Sequence, residues 1–251
     1  MDSEARSNPD SKNARYLVAG DTAVVVEFGD SIQRDLNDRV LRLSALVRAS
    51  HVQGVVETVP TYRSLLVHYD PLATDSASLI TAIKKLLNES GSVSKEAKLW
   101  RIPACYATSH APDLGEVSQR TGLDTEEIVR LHVNTCFHVY MTGFVPGFPY
   151  MGDLPRALML PRRHDPRVKV PAGSIAIAAG MTAIYPVESP GGWHLIGATP
   201  LRLFDVRRPR PALLSPGDKV RFEPISADEF DSIRAAVTAD AYDVACETIA
   251  A

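Results

Sequence analysis

No apolar run in this sequence reaches the roughly 18–20 residues that a membrane-crossing helix needs, so no membrane-spanning helix is expected. Cysteine is scarce: Cys105, Cys136 and Cys246 are far apart and odd in number. That pattern argues against a disulfide framework and a zinc site, and it suits a reducing compartment such as the cytoplasm. No other metal site is readable. Neither sign of charge dominates, with 27 lysines and arginines against 30 aspartates and glutamates. Without a basic excess there is no electrostatic case for nucleic acid. Aromatic residues make up 7% of the chain, too few for single-strand stacking platforms. The Walker phosphate loop, GxGxxG, the GxSxG elbow, HExxH and CxxC are all missing, so none of the common motif-marked chemistries is announced. The first residues, MDSEARSNPDSKNAR, are polar and lack an apolar signal core, so residues 1–13 read as a disordered leader.

What is present suffices for two modest cores: 251 residues, 45% of them hydrophobic. Residues 14–90 read as an α+β domain of order ββαββα. "RYLVAGDTAVVVEFG" supplies two strands around Gly20-Asp21, and "GVVETVP" and "RSLLVHYDP" two more. Ile32, Leu36, Val40, Leu43 and Val47 recur at helical spacing, as do Leu79, Ile80, Ile83, Leu86 and Leu87. Residues 91–98, in the polar stretch "NESGSVSKEAK", read as a linker. From 99 to 225 the texture is mainly β: "LWRIPACY", "TCFHVYMTGF", "GSIAIAAG", "TAIYPV", "WHLIGATP", "LRLFDV" and "SPGDKVRFEPI" are strand-sized, which suits a barrel or sandwich. Two short helices, "APDLGEVSQRTGL" and "DTEEIVRLH", interrupt it. Residues 226–251 read as a closing helical segment opened by Ser226 with Glu229 three residues on.

The densest signal lies between Gly143 and Pro200, where 8 of the 15 glycines and 9 of the 18 prolines fall. "GFVPGFPYMGDLP" is too constrained for a regular helix or a central strand. Its prolines restrict the unfolded chain and its glycines permit tight reversals, so Phe144, Phe148 and Tyr150 form a rigid apolar wall at low entropic cost. "LPRRHDPRVKVPAG" places Arg162 and Arg167 on a proline-stiffened loop, which suits a carboxylate, phosphate or bicarbonate. A solvated basic loop paired with neighbouring acids is the alternative. "YPVESPGGW" offers Tyr185, Glu188 and Trp193 around Gly191-Gly192, either a close-approach site or a tight turn with Trp193 as core filler. His132 and Asp153 are the candidate acid–base groups; a structural histidine and a loop cap are the alternatives.

Three motifs in the same order, "GFVPGFPYMGDLP", "LPRRHDPRVKVPAGSIAIAAG" and "IYPVESPGGWHLIGATP", resemble the KipI-like, or allophanate hydrolase subunit 1, family. The resemblance implies a ferredoxin-like N-terminal domain and a cyclophilin-like β-barrel. It implies a subunit of an ATP-dependent 5-oxoprolinase complex that opens 5-oxoproline to glutamate. The alternatives it leaves open are a carboxyltransferase or allophanate-type subunit acting on urea-derived substrates, and a regulatory protein that inhibits a histidine kinase. The implied partners are a homologous second subunit, KipA-like or allophanate hydrolase subunit 2, and a lactam-hydrolase-like subunit. ATP with magnesium is implied for the complex, with no cofactor evident in this chain. His132, Arg162, Arg167 and Ser189 to Trp193 match the family pattern, whereas Met181 and Ala198 stand where it usually has Gln and Arg.

Limited proteolysis tests the two readings of chain stiffness together. The first cut is expected between Glu89 and Lys98. A first cut within Gly143–Pro200 would contradict a rigid wall there.

Overall fold

The computed structural model describes residues 14–88 and 96–250, in two compact units that divide after Lys95. The leader reading at 1–13 and the linker reading at 91–95 lie outside the described residues.

The first unit runs β1 (Arg15–Ala19), β2 (Ala23–Glu27), α1 (Arg34–Ala49), β3 (Val55–Pro60), β4 (Ser64–Tyr69) and α2 (Ser76–Asn88). The strands pair antiparallel in the order β1-β2-β4-β3. Strand alternation sends Val24, Val26, Leu65 and Val67 to one face, where they bury against Val40, Leu43 and Val47 of α1 and Leu79, Ile83 and Leu87 of α2. Each such side chain removed from water contributes about 1.5–3 kcal/mol. Ile32, expected on the α1 stripe, precedes the helix and is 50% exposed.

The second unit is mostly β. Its elements are β5 (Glu96–Cys105), α3 (Leu114–Thr121), α4 (Thr125–Val133), β6 (Phe137–Thr142), β7 (Pro149–Gly152), a 3-10 turn (Arg156–Leu158), β8 (Arg167–Val170), β9 (Ser174–Ala178), β10 (Met181–Ile184), β11 (Ser189–Gly191), β12 (His194–Ala198), β13 (Lys219–Ile225), α5 (Ala227–Thr238) and β14 (Cys246–Ala250). Seven strands close a ring in the order β12-β9-β10-β7-β6-β13-β5, and β5 returns to β12. Its core holds Ile102, Phe137, Val139, Met151, Ile175, Ile177, Ile184, Ile196, Val220 and Phe222. Strands β8 and β11 form a separate two-stranded ribbon. The Ser226 cap read from the sequence forms a complete capping box with Glu229, and Asp124 caps α4 by accepting from Glu127 N at 2.6 Å. No helix among the described residues is long and apolar enough to cross a membrane.

Four expectations need correcting. Glu96–Lys98, read as linker, belong to β5, where Lys98 pairs with Thr248 and its N–H reaches Asp218. The closing segment is helical only to Thr238; Cys246–Ala250 is a strand on β5. Cys246, Glu247 and Thr248 are all exposed and Ile249 is half-buried, so no apolar alternation marks that strand. "LRLFDV" makes a single bridge, Phe204 to Ala212, because the Asp205 carboxylate draws the chain into a turn through Arg207 N. Finally, "GFVPGFPYMGDLP" does contain a strand, β7. Pro149 stands at its first position, where a missing N–H is tolerated.

Asp218 ties the start of β13 to β5. It is 5% exposed, and its oxygens accept Trp100 Nε1 at 3.0 Å, Ser215 N at 2.9 Å and Lys98 N at 3.2 Å. Losing the carboxylate orphans three donors at once. Asp218→Ala is expected to cost about 2–3 kcal/mol and to lower the Tm of this unit by roughly 4–12 °C. A melt unchanged from the parent protein would contradict this assignment.

Candidate functional site

A cleft of about 270 Å³ opens on the barrel unit where three segments meet. The β6–β7 loop supplies Phe144, Phe148 and Tyr150; the loop before β8 supplies Arg162, Arg163 and Pro166; the turn around β11 supplies Tyr185, Pro190, Gly191, Gly192 and Trp193. The β6–β7 loop is pinned locally. Gly143 N donates to Phe148 O, Phe148 N to Val145 O, and Gly147 takes φ +78° with its Cα against Phe204. Phe144 also has positive φ, 69°, an uncommon state for a bulky residue. Its ring is 62% exposed at the rim.

The wall is a cluster of five rings centred on Phe148. That ring lies 5.5 Å from Phe144, 4.9 Å from Tyr150, 5.1 Å from Tyr185 and 6.1 Å from Trp193. The contacts to Phe144, Tyr185 and Trp193 are edge-to-face, the arrangement that ring quadrupoles favour. Burial pushes the Tyr185 hydroxyl up to about 12, and a hydrogen bond from the Trp193 backbone and the nearby Arg162 and Arg167 only partly offset it. Burial raises Tyr150 too. Both phenols therefore stay protonated at neutral pH. Gly191 is required here, because a Cβ would run into the Tyr185 hydroxyl.

Three arginines leave the same loop with different fates. Arg163 reaches Glu116 at 2.6 Å and Asp113 at 3.3 Å, and Arg167 reaches Asp113 at 2.5 Å. Arg162 is exposed at the cleft and makes no ion pair or hydrogen bond through its side chain among the described residues. An unpaired guanidinium beside a protonated, ring-lined wall is suited to a small molecule with a flat body and a carboxylate.

Eight of the residues singled out from sequence meet in this cleft: Phe144, Phe148, Tyr150, Arg162, Tyr185, Gly191, Gly192 and Trp193. The others do not. His132 is wholly buried and stacks on Phe222 at 4.5 Å. Its Nδ1 pairs with the Tyr106 hydroxyl at 2.8 Å and its Nε2 with Thr182 Oγ1 at 3.0 Å. Because Thr182 donates onward to Ala176 O, His132 donates from Nε2 and accepts at Nδ1. Burial drops its pKa to about 3, so it is a neutral core histidine rather than an acid–base group at this cleft. Asp153 sits exposed in a left-handed turn, φ 71°, with the Tyr140 hydroxyl at 3.4 Å, outside the lining. Glu188 pairs with Lys169 at the surface. Arg167 is spent on Asp113. Met181 and Ala198, the departures from the family pattern, are buried in the barrel wall away from the cleft. Sequence reasoning passed over Arg163, Pro166 and Pro190 as lining, and Asp113 and Glu116 behind it; nothing local to "APDLGE" marks them.

The chain is 35% identical over 233 residues to the B subunit of the 5-oxoprolinase of Bacillus subtilis (strain 168), covering 88% of this chain and 97% of that protein. It is 39% identical over 216 residues to the corresponding 5-oxoprolinase polypeptide of Escherichia coli O157:H7, covering 85% and 97%. Among solved structures, TTHA0988 superposes with a TM-score of 0.73 at 36% identity over 81% of this chain; the match spans only 40% of the TTHA0988 chain. A family model described as carboxyltransferase domain, subdomain C and D, matches residues 14–214, and with that coverage the chain belongs to this carboxyltransferase-domain family.

Proposed function

We propose that this chain is a subunit of an ATP-dependent 5-oxoprolinase complex, and that its cleft holds the lactam. The observation that carries this reading is Arg162, a guanidinium without a side-chain partner among the described residues, in a cleft lined by five rings. 5-Oxoproline is a flat five-membered lactam bearing one carboxylate. Arg162 meets the carboxylate with a charge-assisted pair. Phe148 and Trp193 cover the ring and exclude water from it. Tyr185, kept protonated by burial, donates from its hydroxyl to the lactam oxygen. The relatives that match over 97% of their length carry the same activity in their names.

This chain binds and orients; it does not complete the chemistry. His132 is neutral and buried, and Asp153 lies outside the cleft, so neither candidate acid–base group faces the cleft. Among the described residues no group of three or more His, Cys, Asp or Glu is placed to hold a metal ion. We assign the ATP–magnesium site of the complex to the partners: a homologous second subunit and a lactam-hydrolase-like subunit. The order β1-β2-β4-β3 with both helices on one face supports a permuted ferredoxin-like unit, and the closed seven-strand ring supports a cyclophilin-like barrel.

Two measurements on one preparation test the reading. The purified chain alone is expected to release no glutamate from 5-oxoproline with ATP and magnesium, whereas the assembled complex does. In that complex Arg162→Ala should raise KM for 5-oxoproline tenfold or more, since a lost charge-assisted bond is worth about 1.5–3 kcal/mol. Its Tm should stay close to the parent, because the side chain is exposed. Turnover by the lone chain, or an unchanged KM, would contradict the assignment.

A further inference from the structure

The chain on both sides of Arg162 is gripped, while Arg162 itself is not. Before it, Pro161 O accepts from His194 Nε2 at 3.0 Å. After it, Arg163 N donates to Gly192 O at 2.7 Å, and the Arg163 guanidinium is held by Asp113 and Glu116. Further on, Arg167 is held by Asp113, its one side-chain partner among the described residues. One carboxylate therefore anchors two of the three guanidiniums on this loop.

Asp113 is itself fixed with little freedom. It is 3% exposed. Its Oδ2 accepts Leu195 N at 2.7 Å, and its own N–H donates to Leu195 O at 3.0 Å. It opens α3, which also carries Glu116. With both oxygens engaged and no place in the cleft lining, Asp113 touches no ligand there. It also separates cations that would otherwise compete: with its charge removed, Arg163 and Arg167 lose their shared counter-ion next to Arg162, and like charges at that range disfavour the packed loop.

We propose that Asp113 is a positioning residue for the anion site: by holding Arg163 and Arg167 it fixes the 161–167 segment so that the Arg162 guanidinium meets the ligand carboxylate. This rests on the assignment of the anion site to Arg162 made above. A shift of about 1 Å at such a group is enough to cost up to a hundredfold. The effect reaches the ligand through Arg162, so it must vanish when Arg162 is gone. A merely structural carboxylate has no such dependence.

The test is a double-mutant cycle in the assembled complex, with KM for 5-oxoproline and kcat read separately and Tm followed alongside. Asp113→Asn keeps the shape and one acceptor for Leu195 N while removing the charge. It is expected to raise KM tenfold or more with kcat within about twofold, the signature of lost binding shared by ground and transition states. Added to Arg162→Ala, it should change KM by less than twofold. If the two changes multiply, Asp113 does not act through Arg162 and the proposal falls alone. If Arg162→Ala keeps the parent KM, the anion-site reading falls and takes the proposal with it. Should Asp113→Asn fail to assemble, Arg167→Gln enters the same cycle, and the same two outcomes decide.

Discussion

The barrel closes along the seam between β12 and the chain that leaves β5, and the candidate site depends on that seam. The direct pairing is brief: Ala198 meets Cys105. The seam is then prolonged by a residue in no strand, since Asp113 brackets Leu195 with two hydrogen bonds, one from its backbone and one to its carboxylate. Closing a sheet fixes every strand end relative to the others and leaves no free edge along the ring. The loops that leave those ends inherit the rigidity, which is what a binding constellation needs. Trp193 and His194 stand at the start of β12, so the wall of the cleft and the grip on Pro161 are set by the same closure.

The cleft separates two tasks that its composition alone confuses. Rings, glycines and prolines set shape; one guanidinium sets charge. Phe148 is 2% exposed and touches four other rings, so the wall is part of the packed structure rather than a mobile surface. Phe144, at positive φ and open to solvent, is held in a state that costs of order 1 kcal/mol. The B-subunit relatives, which match this chain over 97% of their own length, are the reason for reading it as one part of a larger assembly.

Much of the fold was legible because its signals are local. The stripes of α1 and α2 repeat within a few turns, and the cap at Ser226 needs only three residues to declare itself. The aromatic, proline and glycine texture of 143–200 also gave most of the cleft lining. What stayed hidden was long-range. Asp113 finds its partners 50, 54 and 82 residues away, and no spacing rule reaches that far. The division of labour among Arg162, Arg163 and Arg167 is invisible in a loop where all three carry the same group. His132 sits at the end of an amphipathic helix in a pattern that fits a surface or a core, and only packing against Phe222 and Phe137 shows which. The exposed strand β14 pairs through its backbone, and backbone pairing leaves no mark on side-chain pattern.

The chain's two tryptophans make the central claim measurable. Trp193 lines the cleft, while Trp100 is locked to Asp218 in the barrel wall. In the assembled complex, with this chain alone carrying nitrogen-15-labelled indoles, 5-oxoproline is expected to shift the Trp193 indole signal and leave that of Trp100 in place. A saturating ligand that moves neither signal, or that moves Trp100 instead, would contradict the placement of the lactam in this cleft.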